Sequence, residues 1–382
     1  MMKKLIPFLF LILLASCGEK GNSEKTESGN ILENLTYSVD TVMVDPGEEL
    51  LVLNSDYIGY WSLSSDLSKM YIFSEKNNSI QEIDLDKLTV TNRYSFEKEG
   101  PDGTGNRVMG IQELDDHQFV FSTYNATYLF DKSGKKTKDY RLKSKEIEGI
   151  DLDDDFTLNH QAKIYADGSK LYVIRGTPLE SQLLLVDLKK MKADTLSIPK
   201  LTKTRDFSTM LLIPGNMRFY SQQIRIQYLR DMVLTYSPVT NVIYLIDPKT
   251  SLIEEKSFAH KLIPLEKKWE NYPDEANSLV EFNAVMAAVN SQIEFGKFYW
   301  DDTRRLYFRL SQKAKETASP DQKTKYETFV HAYNENWQLV GETNFKPVDS
   351  KLYDYFFKDG KLWSYVNVDD ELGFEVFTFK LN

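Results

Sequence analysis

The stretch YIGYWSLSSDLSKMYIFSEKNNSIQEIDLDKLTVTNRYSFE, residues 57–97, decides the fold. It reads as a strand, a turn at SSDLSK, the strand MYIFS, a turn at EKNN, then the strands SIQEIDL and TVTNRYSF. Short runs of β-branched and aromatic residues, separated by Ser, Asp, Asn and Lys, are strand-and-turn chemistry. The grammar returns in VMGIQELDDHQFVFSTYNATYLFDKSGKKTKDYRL, in KIYADGSKLYVIRG with SQLLLVDLKKMKADTLSI, and in IRIQYLRDMVLTYSPVTNVIYLIDPKTSLIEEKSF. A fifth unit spans GKFYWDDTRRLYFRL and YETFVHAYNENWQLVGETNF; a sixth, YDYFFKDGKLWSYVNVDDELGFEVFTFKL, stops after its third strand. Asp66, Asp115, Asp167, Asp231, Asp302 and Asp359 mark the first hairpins, and Asp84, Asp131, Asp187 and Asp247 close third strands.

Four short strands per unit, repeated about every 50 residues, are the signature of a β-propeller. The reading is therefore all-β with six four-stranded blades, or seven if the long inserts hide one. The spare strand LTYSVDTVMVD, residues 35–45, is expected to complete the sixth blade and leave no sheet edge unpaired. Residues 273–293 carry helical spacing at Leu279, Phe282, Val285, Met286 and Val289, so a small helical insert should lie between blades four and five. The polar run SQKAKETASPDQKTKYE reads as a loop lengthening a hairpin.

The N-terminus MMKKLIPFLFLILLASC pairs two lysines with an apolar run too short to span a bilayer, the pattern of a secretory signal. Its end, LLASC, resembles the lipobox of bacterial lipoproteins. That resemblance implies cleavage before Cys17, lipidation of Cys17 and anchoring in the cell envelope, with Gly18 at the following position favouring the outer membrane. Cys17 is the one cysteine in the chain, so no internal disulfide can form. Residues 18–30 contain no apolar side chain and read as a tether reaching on the order of 20 Å. The organisation is a signal peptide at 1–16, a lipidated tether at 17–34 and one propeller domain at 35–382. Without residues 1–16 the chain has 45 basic against 57 acidic residues, a net charge of −12, which argues against nucleic acid as a partner.

Chemical motifs are few. In EKEGPDGTGNR, residues 97–107, Gly100 and Gly105 have P-loop spacing, but Asn106 and Arg107 stand where Lys and Ser/Thr are needed. The loop also enters a strand rather than a helix, so it reads as a turn. DLDDD, residues 151–155, lacks the Gly and Glu of a calcium loop, since Phe156 and Ala162 occupy those places. SSDLSKMY only faintly matches the Asp box of sialidases. His117, His160, His260 and His331 show no zinc-protease spacing, and no Gly-x-Ser-x-Gly elbow occurs. No metal or cofactor is expected.

The segments DTVMVDPGEELLVL, IDLDKL, YSFEKEGPDGTGNR and RLYFRL resemble the Bacteroidetes lipoproteins grouped as domain of unknown function 4221. The resemblance covers most of the mature chain and implies a propeller-like fold; it supplies no activity and no catalytic residues. Inner-strand starts and second-to-third-strand loops share one face of a propeller. On this sequence they collect Arg107, Tyr124, Asn125, His160, Arg175, Arg218, Tyr236 and Arg309. Arginine forks recognise carboxylate and phosphate, and tyrosines add flat contact surface. The expectation is a non-enzymatic binding module for an anionic glycan or an envelope protein. A hydrolase or lyase acting on a glycan or small ester is the alternative.

Overall fold

The computed structural model describes residues 29–47, 51, 57–105, 107–124, 126–143, 146–150, 162–175, 182–315, 324–346 and 348–381. Cys17, Asn125, His160 and the acidic run 151–155 lie outside them.

Six four-stranded antiparallel sheets follow one another along the chain. Strand β1 (Thr36–Met43) comes first but belongs to the last blade. Blade one comprises β2 (Tyr60–Leu63), β3 (Lys69–Ser74), β4 (Ser79–Asp84) and β5 (Thr89–Ser95). Blade two comprises β6 (Val108–Glu113), β7 (Phe119–Thr123), β8 (Thr127–Phe130) and β9 (Lys136–Tyr140). Blade three comprises β10 (Lys163–Ile164), β11 (Lys170–Arg175), β12 (Gln182–Asp187) and β13 (Lys192–Leu196). A separate hairpin follows, β14 (Thr209–Ile213) and β15 (Asn216–Tyr220). Blade four comprises β16 (Arg225–Leu229), β17 (Met232–Tyr236), β18 (Ile243–Ile246) and β19 (Ile253–Lys256).

After helix α1 (Leu279–Asn290), blade five comprises β20 (Glu294–Asp301), β21 (Leu306–Ala314), β22 (Tyr326–Tyr333) and β23 (Leu339–Phe345). Blade six comprises β24 (Tyr355–Lys358), β25 (Lys361–Val368) and β26 (Glu371–Lys380). Its fourth strand is β1, antiparallel to β26 from Thr36↔Lys380 to Met43↔Gly373. The expected ring closure by the N-terminal strand is therefore what forms, and the blade count is six.

The aspartates that punctuate the sequence make the turns. Asp84, Asp131, Asp187 and Asp247 each accept a backbone N–H two residues on, from Asp86, Ser133, Lys189 and Lys249. An Asx-type bond of this kind satisfies the tight turn into the outer strand. In the first hairpins of blades two and five the capping acids are Asp116 and Asp301 rather than their neighbours Asp115 and Asp302.

Because a blade is packed on both sides, its middle strands are buried at every position, as in Met70 to Ser74. Alternate residues serve opposite neighbours. Met70 and Ile72 face blade six, whereas Tyr71 and Phe73 face blade two. Six apolar clusters result, one in each seam of the ring. Each fully buried side chain of this size contributes roughly 1.5–3 kcal/mol.

The helical insert is shorter than the periodicity implied. Ser278 caps α1 by accepting the Glu281 N–H at 3.2 Å, and Phe282, Val285 and Val289 form its buried face. The loop at residues 97–105 is the expected turn: the amides of Gly103, Thr104 and Gly105 all donate to carbonyls within it. A Cβ at Gly103 would meet the Glu99 backbone at 2.7 Å, so the glycine there serves close packing rather than an anion.

Candidate functional site

In every blade the inner strand starts on the same face, called here the upper face. Two inner strands open with a cation, Lys163 on β10 and Arg225 on β16, and Lys297 follows the irregular first turn of β20, which opens with Glu294. The ring brings them together near its axis. Lys297 is reached by solvent yet surrounded by protein, and its ammonium falls to about 8. Desolvation is the main cause, followed by repulsion from Arg225 and Lys163, with Asp354 opposing.

A cavity of about 200 Å³ opens at this point, with Arg225, Glu294, Lys297, Gln312, Lys351 and Tyr353 among its lining residues. Lys351 pairs with Glu294 at 2.6 Å. Burial raises the Glu294 carboxyl, but Lys351, Lys267 and Arg225 reverse this and keep it below the usual range. Lys267 is itself buried, donates to the Val289 carbonyl at the end of α1 and is lowered to about 8, chiefly by desolvation.

Packing fixes the geometry of this mouth. Arg225 stands directly opposite Tyr236 across the β16–β17 pair, and its charge opposes the rise that burial imposes on the Tyr236 hydroxyl. A Cβ on Gly296 would collide with the Tyr355 hydroxyl and stand 2.9 Å from the Leu310 carbonyl, so only glycine admits that ring. Trp61 Nε1 donates to Asp354 Oδ1 at 2.6 Å, and the Lys297 ammonium lies 5.3 Å from the Trp61 ring.

The lower face carries charges of both signs, with Asp115 and Asp167 beside Lys170 and Lys249. Asp115, Asp167, Asp231 and Asp247 all raise the Tyr165 hydroxyl there, after desolvation. A shallower cavity of about 510 Å³ is lined by Asp115, Tyr165, Asp167 and Lys170 among others.

The sequence-derived arginine set does not assemble as expected. Arg309 is fully buried; its Nε and Nη1 donate to the carbonyls of Gly296 and Asn241 at 3.0 and 3.1 Å. It lies within the seam between blades four and five instead of on a surface. Arg218 sits on the exposed hairpin β14–β15, opposite Leu211, and not at the head of an inner strand. The chain inserts that hairpin before blade four begins, so Arg225 holds the place assigned to Arg218. Arg107 and Tyr124 are solvent-exposed, and Arg175 reaches Gln182 at 3.4 Å. Tyr236 is buried but stands beside the mouth through Arg225. The missed residues carried a signal: Lys163-Ile164-Tyr165, Arg225-Ile226-Gln227-Tyr228 and Lys297-Phe298-Tyr299 all place a cation before an apolar residue and an aromatic.

A second polar cluster lies inside blade five. Arg309, His331 and Glu342 are directly paired across β21, β22 and β23. His260, from the connection after β19, joins them, with its Nδ1 3.1 Å from Glu342 Oε2.

The molecule is thus a six-bladed propeller with a cation-rich axial mouth on one face and a second cavity of mixed charge on the other. The chain belongs to the family described as domain of unknown function (DUF4221), whose pattern matches residues 28–344. Its fold is similar to the crystal structure of a DUF4221 member from Bacteroides vulgatus, with a TM-score of 0.63, 15% identity, and coverage of 91% of this chain and 99% of that one. It is also similar to a Bacteroides fragilis protein described as exported, with a TM-score of 0.49, 10% identity and coverage of 90% and 95%. Hydrazine synthase from Kuenenia stuttgartiensis gives a TM-score of 0.44 at 10% identity, with coverage of 85% and 78%. At such identities these likenesses concern the fold alone. No curated protein matches the chain.

Proposed function

We propose that the chain is a non-enzymatic binding module of the cell envelope, held to the outer membrane through a lipid on Cys17, whose upper axial mouth takes an anionic ligand. The observation that carries this reading is the convergence of Lys163, Arg225 and Lys297 from three separate inner strands. Their mutual repulsion, and the desolvation of Lys297, are relieved when a carboxylate, phosphate or sulfate enters. An acidic glycan or the acidic segment of an envelope protein has that chemistry. The alternative, a hydrolase or lyase, would use Lys297 near 8 as its base. It would then need a free acid, and the carboxylate lining the cavity, Glu294, is already tied to Lys351.

A thermal-shift series with uronic acids, sulfated glycans, phosphate and neutral glycans tests the reading. A ligand present at 100 times its Kd stabilises the fold by about 2.7 kcal/mol. Anions should shift the wild type, and Arg225→Ala or Lys297→Ala should abolish the shift. The sign with pH is fixed: Lys297 loses its proton as pH rises through about 8, so anion affinity should fall between pH 7 and 9. Stabilisation by neutral glycans alone, or anion binding indifferent to both substitutions, would sink the proposal.

A further inference from the structure

We propose that His260, His331 and Glu342 form a binding site for a divalent transition-metal ion of the zinc class, enclosed in the seam between blades four and five. One ligand atom from each residue lies within 4.8 Å of the others, and all three side chains are buried. Glu342 Oε2 stands 3.1 Å from His260 Nδ1 and 3.6 Å from His331 Nδ1. Two atoms bound tetrahedrally to zinc at about 2.0–2.1 Å are themselves about 3.3 Å apart. The two carboxylate–imidazole separations bracket that value, and the three ligand atoms, all within 4.8 Å of one another, need only close in on a shared ion.

His331 supplies an independent observation. Its ring is 0% exposed, and neither ring nitrogen has a hydrogen-bond partner among the described residues. The approach of Nδ1 to Glu342 is within ion-pair range but too long for a hydrogen bond to a neutral ring. A buried imidazole with both nitrogens unsatisfied is costly, and coordination through one nitrogen removes part of that cost.

The surroundings orient the ligands. Glu342 Oε1 accepts the Lys261 and Leu262 amides at 2.7 and 3.2 Å, which leaves Oε2 to face the histidines. His260 Nε2 lies 3.4 Å from the Tyr333 hydroxyl. Outer contacts of this kind fix ring orientation in metal sites. Arg309 acts in the opposite direction, because its charge repels a cation near both imidazoles. That repulsion disfavours magnesium and calcium, which take oxygen ligands, more than an ion that bonds imidazole strongly.

The untagged full chain, stripped with chelator, incubated with zinc, magnesium or calcium and desalted, is analysed for bound metal by mass spectrometry. The expected result is about one zinc per chain, no retained magnesium or calcium, and a melting temperature raised by zinc. His331→Asn and Glu342→Gln should each weaken zinc binding at least about tenfold, while the exposed control His117→Asn leaves it unchanged. Sub-stoichiometric zinc in the wild type, or unaltered zinc binding by His331→Asn, overturns the proposal. Should those variants fail to fold, the zinc-edge X-ray absorption spectrum of the wild type decides. Two imidazoles and a carboxylate uphold the site; a thiolate or an all-oxygen shell rejects it.

Discussion

The seam between blades one and two and the seam between blades four and five each bury a carboxylate. In the first, Glu82 is saturated: Oε1 accepts Lys69 Nζ, Thr91 Oγ1 and Asn92 Nδ2 at 2.7–2.9 Å, and Oε2 accepts the Tyr94 hydroxyl at 2.7 Å. Lys132 closes the cluster, 3.6 Å from Glu82 and over the rings of Tyr71, Tyr94 and Phe119. In the second, Glu342 is satisfied by two amides and His260, but its cross-strand neighbour His331 has unbonded nitrogens. A carboxylate holds about four acceptor positions, and filling them all with protein donors makes a structural clasp. A cluster that stops short leaves a place for something else.

Substitutions should widen that contrast. Glu82→Ala removes the shared acceptor of Lys69, Thr91, Asn92 and Tyr94 and should cost about 3 kcal/mol in denaturant unfolding. Metal-free Glu342→Gln should cost less, about 1–3 kcal/mol, because its carbonyl can keep the two amides and its remaining partners are neutral. A larger loss at Glu342 than at Glu82 would invert the comparison. Zinc should separate the seams again, raising the melting temperature of Glu82→Gln but not of Glu342→Gln.

Acid gives a further test of the Glu82 clasp. Burial raises the Glu82 carboxyl, and donors led by Lys69 and Tyr94 overcome it, holding the group at about 2. A depressed carboxyl stabilises fully above its unfolded value, about 4.3, and the stabilisation disappears as pH falls toward the folded value. Unfolding free energy should therefore drop between about pH 4.5 and 2, and Glu82→Gln should flatten that slope by up to one proton. The smallest effect belongs to Lys132→Met, at about 1 kcal/mol, since Lys132 is partly solvated and its methylene stem is replaced by a similar one. No change in the melting curve would show the ring contacts to be incidental.

Much of the architecture was legible in the sequence. The alternating runs, the aspartates at turns and the spare N-terminal strand each answer to a local rule that the ring obeys. Site residues were harder to read, for two physical reasons. The hairpin β14–β15 has the alternation of a blade strand, so nothing local distinguished Arg218, on the insert, from Arg225, at the mouth. Arg309, inside RLYFRL, has the spacing of a surface residue, and only the approach of the Gly296 and Asn241 carbonyls makes it internal. His260, His331 and Glu342 are far apart in sequence and meet through strand register, which no spacing rule records.

The closing strand carries a consequence for the order of events in time. β1 is synthesised long before its partner β26, with five whole blades between them. Until the last blade emerges, β1 has no register to join, and the ring stays open. Closing a loop of about 340 residues costs on the order of 5 kcal/mol of chain entropy, a cost met only in the final step. Chaperones that meet this protein before the last blade forms would therefore find an open crescent whose first blade still exposes a seam.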